Sequence, residues 1–386
     1  MNEKEKTTIP VPSVGADGEQ SLSYVTEQII SSDNEEINSS DENMEEILRQ
    51  MQRMAEPSYL PTMTMSQLYD TVYESRLPII DGLLYPGTYL FVGAPKVGKS
   101  FLMAQIAYHV STGQPLWNYS VRAGTVLYLA LEDDYRRLQE RLSRMFGVEG
   151  TDALHFATCA KQLGAGLYEQ LHRFVSEHKD TRLVIIDTLQ KVREAGGDNY
   201  SYANDYDIMS QLKHFADETG ICLLLVHHTR KQQAEDKFDR ISGTNGLLGA
   251  ADGAFILDKE KRTGDTAVLE VSGRDQPEQK LILKKNMERL VWDLERTETE
   301  LWQVPPDPIL EKVDGMLSNE NSEWKGSPTE LTEILQVDMK PNFLTKHLNV
   351  NASRMLNEYQ IKYENVRTHA GRRICLKRIS EQRDDA

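Results

Sequence analysis

The chain has 386 residues, 39% of them hydrophobic, and a formal net charge of -16. That length suggests two domains with additions, and the apolar share supports a core of ordinary size on the polar side of average. Three cysteines, Cys159, Cys222 and Cys375, stand far apart in no C-x-x-C pair, which excludes a disulfide framework and a zinc site and fits a reducing cytoplasm.

The acidity is unevenly spread. Up to Glu56 there are thirteen acids against four bases, Lys4, Lys6, Arg49 and Arg53, so residues 1–60 are expected to form a disordered acidic tail. Met1 to Pro12 has no apolar h-region, and no apolar run approaches the roughly twenty residues that span a bilayer. A cytoplasmic protein with no membrane partner is expected.

From Ser66 to Glu74 the pattern is helical, with Ser66 as cap. Thr88 to Val92, aromatic and β-branched, reads as a buried strand. Phe101, Leu102, Ile106, Ala107 and Val110 then recur at helical spacing until Gly113. Thr125 to Leu131 is an unbroken apolar run, as in a parallel strand buried on both faces. Leu138, Leu142 and Met145 mark a helix, His155 to Thr158 a weak strand, and Leu167 to Glu177 another helix. Arg182 to Asp187 is a second strong strand. Glu194 to Asp207 reads as a long loop carrying Tyr200, Tyr202 and Tyr206, followed by a helix over Ile208 to Thr219. Ile221 to Val226 is a third buried strand, with His227 and His228 after it and a polar loop over 232–245. Strands are expected at 253–258, 266–272 and 280–285. Strand alternating with helix over 85–260 predicts an α/β domain with a mostly parallel central sheet.

Pro305-Pro306-Asp307-Pro308 breaks the pattern, so 301–322 is read as a linker after a domain at 61–300. From Lys325 to Arg378 the bases outnumber the acids. Ser327-Pro328-Thr329-Glu330 is a capping box with proline at the first helical position. Two further short helices and a hairpin over 365–376 complete a winged-helix plan at 323–380, with a tail at 381–386.

Gly93, Ala94, Pro95, Lys96, Val97, Gly98, Lys99 and Ser100 fit G-x-x-x-x-G-K-[ST] between a strand and a helix, the context of an ATP phosphate-binding loop. Backbone N–H groups would face the phosphates, Lys99 would reach the β- and γ-phosphates, and Ser100 would hold Mg²⁺. Four apolar residues ending in Asp187 form a Walker B pattern, whose carboxylate would complete the metal site. Glu132 abuts the Thr125–Leu131 run and can reach a water near the γ-phosphate; it is preferred over Asp133 and Asp134, which suit a helix N-terminus. Of the two histidines only one can face the cleft, and His228 is chosen as the phosphate sensor.

Together Gly93–Ser100, Leu129–Asp133, Leu183–Asp187 and Val226–His228 resemble RecA-like ATPases, and among them the RepA-type hexameric replicative helicases. The resemblance covers residues 80–285. It implies a homo-oligomeric ring, a hexamer, with ATP at subunit boundaries and the loops at 194–207 and 229–245 facing single-stranded DNA. Lys231, Lys237 and Arg240 would track phosphates, and tyrosines of the first loop would stack bases. It also implies an arginine finger from a neighbour. Arg240 lies about two positions from the family's place, before Ile241-Ser242-Gly243-Thr244, and Arg274 in Gly273-Arg274-Asp275 is preferred. The C-terminal module resembles DNA-binding modules of plasmid and integrative-element ATPases. Its recognition helix is read as 351–358 with Ser353 and Arg354, and Arg367, Arg372 and Arg373 sit on the wing, against double-stranded DNA. The activity implied is that of an ATP-dependent DNA helicase or translocase serving a plasmid, phage or integrative element. A DNA-binding regulatory ATPase that does not unwind and a filament-forming recombination mediator are the alternatives.

Overall fold

In the computed structural model, which describes residues 53, 56–73, 76–193, 202–228, 245–259, 264–274, 276, 278–299, 305–317, 322–368 and 371–379, the chain divides into two units. One spans Arg76–Pro305; the other joins Met1–Ser75 to Pro306–Ala386.

The larger unit is built on one nine-stranded sheet. Its strands are β1 (Gly87–Gly93), β2 (Thr125–Ala130), β3 (Leu154–Ala157), β4 (Thr181–Asp187), β5 (Cys222–His228), β6 (Gly253–Asp258), β7 (Thr266–Gly273), β8 (Gln279–Lys285) and β9 (Trp292–Thr299), in the order β3-β2-β4-β5-β1-β6-β7-β8-β9. Pairing is parallel from β3 through β6 and antiparallel from β6 to β9. The fold class is therefore α/β with a mostly parallel central sheet.

The sequence pattern explains where parallel pairing stops. Strands β1, β2 and β4 are apolar at successive positions and are buried on both faces. Tyr89, Phe91, Leu183 and Ile185 enter one core, while Leu90, Val92, Val184 and Ile186 enter the other. Helices cover each face, as parallel crossovers require. In β7 only alternate residues Ala267, Leu269 and Val271 are buried, and all belong to the first core. A strand with one polar face needs no helix on that side and can be reached by hairpins.

Helix α2 (Lys99–Thr112) follows the glycine loop, and α3 (Tyr135–Phe146) follows β2, capped by Asp134 onto the Arg137 N–H. α4 (Leu167–Glu177) and α6 (Tyr202–Thr219) pack on the opposite face, with the short α5 (Leu189–Val192) between them in sequence and α7 (Asn245–Ala250) after β5.

Some expectations shift. The helix expected from 208 begins at Tyr202, so Tyr202 and Tyr206 lie on a helix and not in a loop; polar turns there hid the helical period. His227 and His228 lie within β5, where His227 pairs with Val92 and His228 with Gly93. Strand β9 was not anticipated, because Trp292–Thr299 is mostly polar and exposed.

In the smaller unit α8 (Pro308–Met316) lies inside the stretch read as a linker. Asp307 caps it through the Ile309 and Leu310 N–H groups, and Leu310 and Val313 are buried. β10 (Glu323–Gly326), α9 (Pro328–Leu335), α10 (Pro341–Val350), α11 (Ala352–Tyr359), β11 (Ile361–Thr368) and β12 (Gly371–Arg378) follow, with a three-stranded sheet ordered β10-β12-β11. The Ser327–Glu330 capping box closes with both bonds, 3.2 and 2.6 Å. Leu310, Leu331, Leu344, Met355, Ile361 and Leu376 share one core. The helix expected at 66–74 runs over Met65–Asp70, capped by Thr64 in a box with Gln67; it packs on α10. Among the described residues, no helix is long and apolar enough to cross a membrane.

Candidate nucleotide site

Strand register brings the site together. Gly93 ends β1 beside His228 of β5, Ile186 pairs with Leu225, and Asp187 lies abreast of Ala130. The C-terminal ends of four neighbouring parallel strands thus meet, the place where open α/β sheets bind ligands.

Between Gly93 and Lys99 the loop turns through left-handed backbone at Lys96 (φ 66°) and Gly98 (φ 111°). Lys99 opens α2 but points back into the loop. Its ammonium donates to the Gly93 carbonyl at 2.7 Å and the Ala94 carbonyl at 3.2 Å, and lies 3.1 Å from His228 Nδ1. An ammonium has three protons, so the chain supplies an acceptor for each. Burial pushes the Lys99 amine down to about 8, an effect that Asp187 and Glu132 partly offset. Burial, then the Lys99 charge, also holds His228 below its ordinary value. A neutral imidazole with its proton on Nε2 can accept from Lys99 at Nδ1.

Asp187 is 6% exposed. Burial raises its carboxyl above the usual range, opposed by hydrogen bonds from Ser100 and Tyr128. The Tyr128 hydroxyl donates to Asp187 Oδ2 at 2.9 Å and is itself driven far up by burial and by that carboxylate. Thr188 Oγ1 donates to Glu132 Oε1 at 3.3 Å, which ties the end of β2 to the end of β4. Glu132 acts electrostatically on Lys99, Asp187 and His228. Lys99, Ser100, Glu132, Asp187 and His228 therefore form one cluster.

The Ser100 hydroxyl beside the Asp187 carboxylate is a hard oxygen pair. Mg²⁺ takes one or two carboxylates plus phosphate oxygens and waters, in preference to an all-protein cage. Among the described residues no group of three or more His, Cys, Asp or Glu could hold a metal by itself, so the donor set suits a metal that arrives with phosphates.

Two supports escaped sequence reading. The first is Trp292, fully buried at the start of β9. Gln105 of α2 donates to the Trp292 carbonyl at 2.9 Å and accepts from its N–H at 2.8 Å, while Trp117 Nε1 donates to the same carbonyl at 2.6 Å. The indole lies against Gly98, where an added Cβ would come within 2.8 Å of Cζ2. Gly98 is thus required both by its φ and by the ring. The second is a basic group beside the first turn of α2. Lys285 Nζ lies 4.1 Å and Arg141 Cζ 5.1 Å from the Phe101 ring centroid, and Lys259 Nζ 5.3 Å from that of Trp292. Burial first, then Lys259 and Arg141, lower the Lys285 amine. Arg141 pairs with Asp133 at 2.7 Å, and its Nη1 is buried without a partner among the described residues. Cations over aromatic faces can receive an anionic or π-rich ligand. Only the basic end of β8, Lys284-Lys285, hinted at this.

The remaining predicted residues lie elsewhere. Arg274 follows β7 at the opposite end of the sheet, because Gly273 pairs with Gly253 and Gly253 with Tyr89. Its Nη2 donates to the Gly249 carbonyl at 3.0 Å. It does not join its own chain's cluster. Lys231, Lys237 and Arg240 lie outside the described residues. Arg193, just before the first expected loop, and Asp205, inside its expected bounds but on α6, form a buried ion pair. In the smaller unit, Arg354 is held by Glu358 through two bonds of 2.8 and 3.0 Å. Arg367 and Arg372 pair across the hairpin, Arg373 is exposed, and Arg372 reaches Asp70.

Residues 54–234 match a family described as an AAA domain. Among curated proteins none matches the chain. Solved structures similar to it include a DnaB-like replicative helicase described with its interactions with primase, at 15% identity and TM-score 0.47, covering 72% of this chain and 76% of that one. A KaiC-like protein of the hyperthermophilic archaeon Pyrococcus horikoshii aligns at 14% identity and TM-score 0.42, over 58% of this chain and 99% of that one. The match over 54–234 spans the phosphate loop, Glu132, Asp187 and His228.

Proposed function

We propose that this chain hydrolyses ATP to drive a ring-forming DNA helicase or translocase, a hexamer, in the replication of a plasmid, phage or integrative element. The observation that carries the reading is the position of Glu132. It stands just past the end of β2, the strand neighbouring β4 with its Asp187, and accepts a hydrogen bond from Thr188 at the end of β4. A carboxylate there can orient a water towards the γ-phosphate from beside the metal pair and not from behind it.

Lys99 and His228 couple nucleotide arrival to β5. An incoming phosphate must replace at least one acceptor of Lys99, and His228 Nδ1 is the one that belongs to a side chain. Its release reports the γ-phosphate to a strand whose end leads towards 229–245. Mg²⁺, held by Ser100 and Asp187, would neutralise charge on the β- and γ-phosphates. Tyr128 fixes the Asp187 carboxylate for it, and that carboxylate accepts from Ser100. Arg274, remote from its own phosphate loop, would serve a neighbour's site as the arginine finger, with Arg240 as the second candidate. Lys231 and Lys237 would follow the DNA backbone, and Arg354, Arg367, Arg372 and Arg373 serve the C-terminal unit as a DNA-binding module.

The test is ATP turnover with and without single-stranded DNA, followed by unwinding of a forked duplex. Turnover should rise with DNA, unwinding should occur, and Lys99→Ala should abolish both. A rate indifferent to DNA refutes the motor; DNA stimulation without unwinding points to the regulatory alternative.

A further inference from the structure

In the smaller unit, the helix at Met65–Asp70 (α1 hereafter) lies on α10. The contact is polar. Asn349 Nδ2 of α10 donates to the Tyr69 carbonyl at 2.9 Å. The Asp70 carboxylate accepts from Arg372 Nη1 at 3.1 Å and lies 3.9 Å from Lys346 Nζ. None of the side chains of α1 itself is buried, and Met65, Leu68 and Tyr69 stay exposed. Val72, just after α1, packs on the C-terminal core, but α1 itself contributes little apolar surface and its exposed ion pairs add little. α1 itself is weakly held.

Asp70, its last residue, lines a groove of about 530 Å³. Lys346 of α10 and Arg372 of the hairpin line it, with Thr329 and Asn342 from the first turns of α9 and α10. A carboxylate is seated between two cations, in a space large enough for more than a carboxylate. α9 and α10 pack on each other across a five-residue connection, 336–340. In a helix-turn-helix the second helix enters the major groove, and flanking residues contact the backbone. Here that second helix is α10, which bears Lys346, while Arg354 of α11 is already bound to Glu358.

We propose that this groove is a backbone-phosphodiester site of the C-terminal unit, and that Asp70 occupies it as an internal stand-in for the phosphate. DNA would displace α1 from α10. The carboxylate and the phosphodiester are both anions that accept from an Arg and a Lys, so the two compete for the same donors. The inference rests on the reading of this unit as a DNA-binding module, and it adds the residues that take the phosphate and the segment that excludes it.

The test uses the full chain and a fluorescein-labelled mixed-sequence duplex, with affinity measured over a salt series. Asp70→Asn should tighten binding roughly threefold, the scale of an exposed ion pair. Glu311→Gln, which removes an exposed charge on α8, should leave it unchanged. Lys346→Ala with Arg372→Ala should weaken binding and lower the slope of log affinity against log salt by about two. In that background Asp70→Asn should have no effect. Lys346→Arg with Arg372→Lys should keep the slope, which separates lost phosphate contacts from a damaged fold. If Asp70→Asn does nothing while the double alanine variant weakens binding, the stand-in is refuted and the DNA-binding reading stands. An unchanged salt slope in the double variant refutes the phosphate site. If neither the parent chain nor any variant binds duplex, the reading of the unit falls and the proposal with it. Exchange of chloride for inorganic phosphate at constant ionic strength should have little effect; loosening as large as that of the double variant would assign the groove to free phosphate and overturn its assignment to nucleic acid.

Discussion

Binding of ATP should draw a proton from solution, because Lys99 is not fully charged before the nucleotide arrives. Burial holds its amine at about 8, so at pH 8 about half the chains carry a neutral Lys99. The phosphates of ATP supply several negative charges to the same atom and favour the ammonium. Binding should then take up about 0.5 proton at pH 8, about 0.1 at pH 7 and about 0.9 at pH 9, and affinity should fall about tenfold between pH 7 and pH 9. The same linkage sets a sign for the nucleotide-free protein. A lysine with a lowered folded value binds fewer protons than the unfolded chain, so stability from this group rises as pH climbs from 8 towards the ordinary 10.5. Calorimetric titration of a non-hydrolysable ATP analogue, in two buffers of different ionisation enthalpy, reads the proton count directly. Lys99→Arg, charged throughout, should bind without proton uptake. No uptake at pH 8 together with flat affinity to pH 9 would refute the reasoning, since Lys99 would then be charged in the free chain.

Three further outcomes follow from the packing. Asp187→Asn should raise the Tm of the nucleotide-free chain, by about 2–4 °C per kcal/mol relieved, because a buried carboxylate held above its usual range gives way to an amide that Tyr128 and Ser100 can still reach; turnover should fall at least about a hundredfold in a coupled ATPase assay. Gly98→Ala should weaken ATP binding at least about tenfold, as its Cβ meets Trp292 and its φ of 111° strains a side chain, with a change in tryptophan fluorescence as the readout. Leu310→Ala, at a fully buried position of the smaller unit, should cost about 2–5 kcal/mol in chemical denaturation of that unit and leave nucleotide affinity intact.

How much of this was legible beforehand depended on how local the signal was. The phosphate loop, the strand ending at Asp187 and the capping box at Ser327 are each written within a few consecutive residues, so their geometry is nearly fixed by local chemistry. The parallel sheet was legible for a related reason, since β1, β2, β4 and β5 are apolar without alternation. β9 and α8 were not, because the first is mostly polar and the second begins in a proline cluster that reads as a break. Both became elements through distant partners: Gln105 and Trp117 for Trp292, and the C-terminal core for Leu310 and Val313.

By itself, then, the sequence determined the α/β class, the phosphate loop between its strand and helix, and the strand that ends at Asp187. Tertiary structure alone set His228 Nδ1 against Lys99, through the register of β5 against β1. It also decided that Glu132 bonds to Thr188, that Gly98 rests on a tryptophan almost two hundred positions away, and that Asp70 lies between Lys346 and Arg372. The physical reason is the same in each case. Backbone preference and hydrophobic period act over a few residues, whereas a hydrogen bond or ion pair between distant segments exists only after the sheet and the C-terminal core have fixed which strand and helix ends meet.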